Sequence, residues 1–235
     1  MQNRQKVILG ALLCYWLAAF VFSHIPIPQI VYRADISDKR LHCIEYLILV
    51  FLIWFSIGPD RKVNWYRPAA WLVFFATACY AGMDEWLQGY VGRTPDIMDF
   101  TADIIGALLG LILFSFFTFR SALLFVMGVS IFLLTNLARA DISALLPVTN
   151  TIFHFIAFGF FTLIWLRLLR DLLPAKAVSA VLWPATAILP AGLLLAAKLV
   201  PLLSGRSFDL KGTIASLAGI AVGMISAYLA AKRPF

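Results

Sequence analysis

The feature that most constrains this chain is the recurrence of long apolar runs. Eight can be drawn, at roughly 7–23, 41–57, 68–87, 100–119, 122–136, 152–169, 178–200 and 213–229. Each approaches the ~20 residues an α-helix needs to cross a bilayer. Backbone placed in lipid must satisfy its own N–H and C=O groups, so such runs fold as helices. Composition agrees, with 62% hydrophobic and 13% charged residues among 235, far from the balance of a soluble domain. The expected class is all-α, a polytopic membrane protein with about eight transmembrane helices. The fifth run is short and is expected to be tilted or extended by polar residues. The first has the basic start of a signal peptide but no clear small-x-small cleavage site, so it reads as a retained helix.

The net charge of +7 does not point to nucleic acid, because the basic residues are spread over short loops instead of forming a patch with interleaved aromatics. Their distribution sets an orientation. With the N-terminus cytoplasmic, the inner side carries Arg4, Lys6, Arg61, Lys62, Arg67, Arg120, Arg167, Arg170, Lys176, Lys232 and Arg233 against only Asp60 and Asp171. The positive-inside rule therefore places both termini in the cytoplasm and the acid-rich segments outside. Cys14, Cys43 and Cys79 form no ligand-spaced pair and read as packing residues.

The chain also echoes itself. Arg93, Asp96, Gly106 and Gly110 align with Arg206, Asp209, Gly219 and Gly223, and His42 aligns with His154. Four helices per repeat is an even number, so two tandem four-helix units of the same orientation are expected, at 1–120 and 121–235. The shared glycines form a small-xxx-small face for close helix packing. The acids are not shared. Asp38, Lys39, Glu45 and Tyr46 become Asn150, Thr151, Ala157 and Phe158, while Asp84, Glu85, Gln88, Asp99 and Asp103 become Ala197, Lys198, Pro201, Gly212 and Ser216. The first unit therefore carries the polar site and the second is a degenerate scaffold.

Helical spacing gathers that site. Asp38, His42 and Glu45 or Tyr46 lie about a turn apart at one end of the second helix. Asp84 and Gln88 share a face of the third, with Glu85 one step round. On the fourth, Asp96, Asp99, Asp103, Gly106 and Gly110 follow a 3-4-3-4 spacing, a stripe running from carboxylates into a glycine seam. Three helix ends are expected to converge.

Ionisable groups between apolar runs are costly unless paired or used. Asp84, Glu85, Asp99 and Asp103 offer paired carboxylates for general acid and base work, and Arg93 ahead of a helix N-terminus suits a phosphate or carboxylate. The plainer reading is a salt-bridged cap in which the acids pair with Arg93, Lys39 and Arg40, Arg93 reaching Asp96 or Asp99. For His42, a helix tie, a proton shuttle and a substrate contact all remain open. Calcium or magnesium on Asp96, Asp99 and Asp103 lacks a ligand loop or an HExxH-like pattern, so no metal and no cofactor are expected. His24, Arg139 and Asp141 carry no spacing signal and read as solvated loop residues. Trp86 and Tyr90 beside the acids read as interface anchors.

At these residues the chain resembles the VanZ-like family. DKRLHCIEY at 38–46, DEWLQ at 84–88 and R-x-x-D-x-x-D-x-x-x-D-x-x-G at 93–106 are similar to its Asp-Lys with His and Tyr, its Asp-Glu with Gln, and its Arg-Asp-Asp ahead of glycines. Asp103 departs from the family's frequent Asn, and a doubled unit exceeds the minimal domain. The resemblance implies a bacterial cytoplasmic-membrane protein of the cell envelope, linked to teicoplanin resistance, and it implies no established reaction.

The functional expectation is an outward-facing acidic cavity that binds and processes a lipid-linked envelope precursor or glycan by hydrolysis or group transfer. Asp84, Glu85, Asp99, Asp103 and His42 are its catalytic residues. Asp38, Lys39, Glu45, Tyr46, Gln88, Arg93 and Asp96 bind substrate. The alternatives are a non-catalytic binder or transporter of an envelope lipid or lipoglycopeptide antibiotic, and a structural membrane partner. Membrane lipids are the expected surroundings; no nucleic-acid partner is expected.

Overall fold

The computed structural model describes residues 3–24, 37–136, 146–172 and 183–232. All regular structure among them is helical: α1 (Asn3–His24), α2 (Asp38–Ile57), α3 (Pro68–Gln88), α4 (Ile97–Phe116), α5 (Phe119–Asn136), α6 (Pro147–Leu172), α7 (Trp183–Leu203) and α8 (Leu210–Lys232). Each expected span is matched by one of these helices. Seven are long and apolar enough to cross a membrane. The eighth, α3, has its apolar run broken near the end by Asp84, Glu85 and Gln88. The short fifth span is extended by polar residues, as α5 runs on from Phe119 through Asn136. The start of the seventh span at 178, and Arg139, Asp141, Lys176 and Arg233, lie outside the described residues.

The chain divides into two compact units at about Val126. In the first, α2 and α4 form the closest pair, and the cause is glycine. A Cβ on Gly106 would lie 2.3 Å from the carbonyl oxygen of Cys43, and one on Gly110 would lie 2.5 Å from Val50. In lipid, helix association gains little from the hydrophobic effect, so backbone approach and van der Waals packing carry it. Below the glycines, Phe51, Phe55, Phe114 and Phe119 pack with ring centroids 5.0–5.7 Å apart. Trp54 Nε1 donates to the Arg61 carbonyl at 2.8 Å and Trp65 Nε1 to Ser115 Oγ at 2.9 Å, closing this end.

Pro68 opens α3 at a first-turn position that needs no N–H partner. A 3₁₀ turn, Gly89–Val91, and Gly92 at φ 81° turn the chain back. Asp96 then caps α4, its Oδ1 accepting from Met98 N at 2.8 Å. Helices α2, α4, α5 and α8 each begin three residues before the apolar run drawn for them.

Helix α1 lies against α2 and α3. Tyr15 Oη donates to the Glu45 carbonyl at 3.0 Å, and Trp16 meets Tyr80 edge-on at 5.8 Å. Its other faces expose Val7, Leu17, Val21 and Phe22, as suits a helix bathed in acyl chains. Cys14 and Cys79 also lie exposed, not in the packed interior expected of them; Cys43 is half-buried.

In the second unit, α6 and α8 form the tight pair. A Cβ on Gly219 would lie 2.2 Å from the Phe155 carbonyl oxygen, and one on Gly223 would lie 3.0 Å from the Gly159 carbonyl oxygen and from Thr162. Helix α7 contains Pro190 and Pro201.

Gly106→Ala should therefore destabilise the protein by about 2–3 kcal/mol, since its methyl group meets backbone that cannot rotate aside. Gly10→Ala, with nothing within 4 Å of the added Cβ, should be neutral or slightly stabilising. Thermal unfolding in one detergent compares them; equal midpoints would refute the role given to the glycine seam.

Candidate functional site

The polar residues of the first unit gather where the C-terminal ends of α1 and α3 meet the N-terminal ends of α2 and α4. Four helix ends converge, not three. On the glycine stripe of α4, Asp103 sits one turn before Gly106, so the backbone approach that seats Gly106 on Cys43 also brings Asp103 to His42. His42 Nδ1 and Asp103 Oδ1 are 3.0 Å apart, and both residues are buried. His42 is thus a tie between α2 and α4. Its Nε2 lies 3.9 Å from Asp38 Oδ1, one turn back.

On α3, Asp84 and Gln88 meet as the i, i+4 spacing requires, with Gln88 Nε2 donating to Asp84 Oδ2 at 3.0 Å. The other oxygen of Asp84 accepts from Ser23 Oγ at 3.2 Å and lies 3.7 Å from His24 Nδ1. Ser23 and His24 are site residues that sequence reasoning missed. His24 does not lie in a solvated loop: it closes α1, stacks on Phe20 at 4.2 Å and is largely buried. The available signal was positional, because the parity of the helices puts the end of the first span beside the end of the third.

Glu85 joins α3 to the cap of α4, Oε2 accepting from Asp96 N at 2.9 Å. Lys39 Nζ bridges Asp96 Oδ2 at 2.8 Å and Asp99 Oδ1 at 3.0 Å. The hydrogen bonds from Lys39 and from Met98 N hold the Asp96 carboxyl below its ordinary range. Arg93 does not form the expected cap with Asp96 or Asp99. Its guanidinium donates to the Ser23 carbonyl at 2.9 Å and pairs with Asp38 at 3.4 Å, tying the loop to α1 and α2. Asp96, Asp99 and Asp103 do not converge on one point: the first two share the Lys39 ammonium, and Asp103 pairs with His42.

Tyr46 is buried against Ala81 and Leu49, with its hydroxyl lacking a hydrogen-bond partner. Glu45 is half-buried; its backbone carbonyl takes the bond from Tyr15. Trp86 and Tyr90 are exposed at the same end, edge-to-face at 5.2 Å. A cavity of about 220 Å³ lies at the far end of α2, lined by Trp54, Arg61, Lys62, Asn64 and Arg67, well away from the acids.

Two buried carboxylate oxygens in the cluster also lack hydrogen-bond partners: Glu85 Oε1 and Asp103 Oδ2. Ligand atoms of His42, Glu85 and Asp103 lie within 4.8 Å of one another, as do those of Asp38, His42 and Asp99. Six carboxylates (Asp38, Asp84, Glu85, Asp96, Asp99 and Asp103) meet here, with Lys39 and Arg93 as the permanent cations of the network. Such an arrangement stores protons or attracts positive charge.

The polar group of the second unit is closed on itself. Lys198 Nζ donates to Asp209 Oδ2 at 2.8 Å and lies 3.2 Å from His154 Nε2. Ser216 Oγ lies 3.2 Å from His154 Nδ1, and Asn150 Nδ2 donates to Asp209 Oδ2 at 2.9 Å. Burial pushes the Asp209 carboxyl up, but hydrogen bonds from Lys198, Gly212 N and Asn150 outweigh it and hold the group below its ordinary range.

Two stability measurements follow. His42→Ala leaves Asp103 Oδ1 buried without its partner and should cost about 3 kcal/mol. Arg4→Ala, which breaks the exposed pair with Asp60 at 3.0 Å, should cost under about 0.5 kcal/mol. A depressed carboxyl stabilises the fold above its unfolded pKa and loses that contribution as pH falls through the folded one. Stability should therefore drop as pH falls below the ordinary aspartate value of about 3.9, and Asp209→Asn should flatten that part of the profile.

Residues 15–120 match the family model described as VanZ/LLP1. No curated protein and no solved structure matches the chain. The matched segment runs from Tyr15, whose hydroxyl ties α1 to α2, to Arg120 in the first turn of α5, and it contains every acid of the cluster. Seven helices among the described residues are able to cross a membrane, which makes the chain a multi-pass membrane protein, and its residues 15–120 match the VanZ-like family.

Proposed function

We propose that the acidic cluster of α1 to α4 is an outward-facing site in the cytoplasmic membrane of a bacterium, and that it binds and processes a lipid-linked envelope precursor or a glycan. The observation that carries the reading is the pair of unpartnered buried oxygens, Glu85 Oε1 and Asp103 Oδ2, beside the imidazole of His42. A buried polar atom left unsatisfied costs free energy, and such groups persist where a substrate or a proton completes them. Both oxygens of Asp84 are engaged, so Glu85 is the better acid or base. Asp103 and Asp99 are its partner carboxylates, His42 orients Asp103, and Arg93 and Lys39 offer charge to an anionic group. Hydrolysis or group transfer suits paired acids. Exposed Trp86 and Tyr90 at this end suit a headgroup or sugar ring.

Residues 121–235 are, on this proposal, a degenerate repeat of the first unit. What supports it is the alignment of histidine, arginine, aspartate and glycines, together with a polar group in which Lys198 and Asp209 satisfy each other. The second unit then serves as scaffold, with both chain termini on the cytoplasmic side as the loop charges require.

The test is native mass spectrometry of protein extracted gently from its own membrane, wild type against Glu85→Gln. Glutamine keeps an acceptor for Asp96 N, so the variant should fold. Wild type should hold a specific envelope lipid and convert it, while the variant holds the same lipid and turns it over about 10²–10⁴-fold more slowly. The same lipid unchanged by both would favour a binder or transporter. No specific ligand in either would sink the site and leave a structural partner ahead.

A further inference from the structure

We propose that His42, Glu85 and Asp103 hold a divalent transition-metal cation, Mn²⁺ or Zn²⁺. Their ligand atoms lie within 4.8 Å of one another, and all three residues are more than nine-tenths buried. They come from α2, α3 and α4, so the cation would join three helices at one point. The independent observation is that Glu85 Oε1 and Asp103 Oδ2 have no hydrogen-bond partner, whereas Glu85 Oε2 and Asp103 Oδ1 are each engaged. Asp96 N orients the Glu85 carboxylate, as the outer shell of a metal site does, His42 Nδ1 orients that of Asp103, and each carboxylate keeps one lone-pair-bearing oxygen for a ligand.

Charge argues the same way. Six carboxylates of the cluster face Lys39 and Arg93. With His42 neutral, as a ligand must be, the six carboxylates exceed Lys39 and Arg93 by four negative charges, two of which one divalent cation would offset. Lys39 pairs with Asp96 and Asp99, and Arg93 with Asp38, so the carboxylates of the cluster without a lysine or arginine partner among these pairs are Glu85, Asp103 and Asp84. An imidazole beside carboxylates suits manganese or zinc better than calcium or magnesium, which favour all-oxygen sets. Tyr46, buried with its hydroxyl unpartnered, lies on α2 one turn beyond His42.

This inference rests on the reading of the same cluster as the functional site, but its test scores cation binding, with or without a lipid present. The full chain in mild detergent is stripped with EDTA, passed through a desalting column, and titrated with MnCl₂ or ZnCl₂. Bound metal is counted by mass spectrometry after gel filtration, and Mn²⁺ is also followed by its paramagnetic resonance. The expected result is one ion per chain, a higher unfolding temperature than in EDTA, and at least about tenfold weaker binding in Glu85→Gln and Asp103→Asn. Asp209→Asn, in the second unit, should bind as wild type does. His42→Ala is informative if it folds; the two conservative variants decide the matter if it does not. Failure to retain either metal, or wild-type affinity in Glu85→Gln, would overturn the proposal. A chain that holds an envelope lipid but no metal would refute this inference alone. A chain that holds metal but no envelope lipid would refute the functional reading alone.

Discussion

The contact on which the first unit depends is that of Gly106 with the backbone of Cys43. Lipid supplies no hydrophobic force between helices, so two backbones must approach closely for dispersion to hold them. A side chain larger than hydrogen at 106 would meet a carbonyl oxygen at 2.3 Å. Because Asp103 precedes Gly106 by one turn, and His42 sits next to Cys43, this approach also sets the distance between the acid and the imidazole. Packing and chemistry are thus arranged by one stripe of α4: carboxylates at its mouth, glycines beneath, and Phe114 at its base.

The polar groups of the two units answer the cost of burial differently. In the second, a lysine and an aspartate lie within 2.8 Å and neighbouring amide, hydroxyl and imidazole groups surround them. Such a cluster is internally neutralised and has reason to stay closed. In the first, carboxylates outnumber cations and two buried oxygens point at no protein donor. Such a deficit costs stability that well-packed apolar residues would supply, which is the ground for proposing a function at this cluster.

Much of this arrangement was legible in the residues. The i, i+4 pair of Asp84 and Gln88, the stripe of Asp99, Asp103, Gly106 and Gly110, and the position of His42 on the same end as Asp38 all follow from 3.6 residues per turn. That Lys39 and Arg93 would pair with acids was legible; which cation takes which acid across the helices was not. Arg93 and Lys39 both lie near Asp96 in plausible pictures, yet Lys39 takes Asp96 and Asp99 while Arg93 reaches to Asp38 and to the Ser23 carbonyl. Long flexible cations select partners by the relative depth of helix ends, which periodicity does not encode. Ser23 and His24 escaped for a related reason: a serine and a histidine closing an apolar run look like a solvated margin until a neighbouring helix places Asp84 beside them.

The sequence by itself determined that the chain is helical, that it spans a membrane several times, and which residues share a helix face, because span length and helical period are local properties. Tertiary structure alone decided that four helix ends meet, that His42 pairs with Asp103, and that Glu85 and Asp103 each keep one oxygen free. Those outcomes depend on how closely α2 and α4 approach and how α1 and α3 are staggered beside them. That distance is set by the glycine contacts acting between helices, through atoms far apart in the chain.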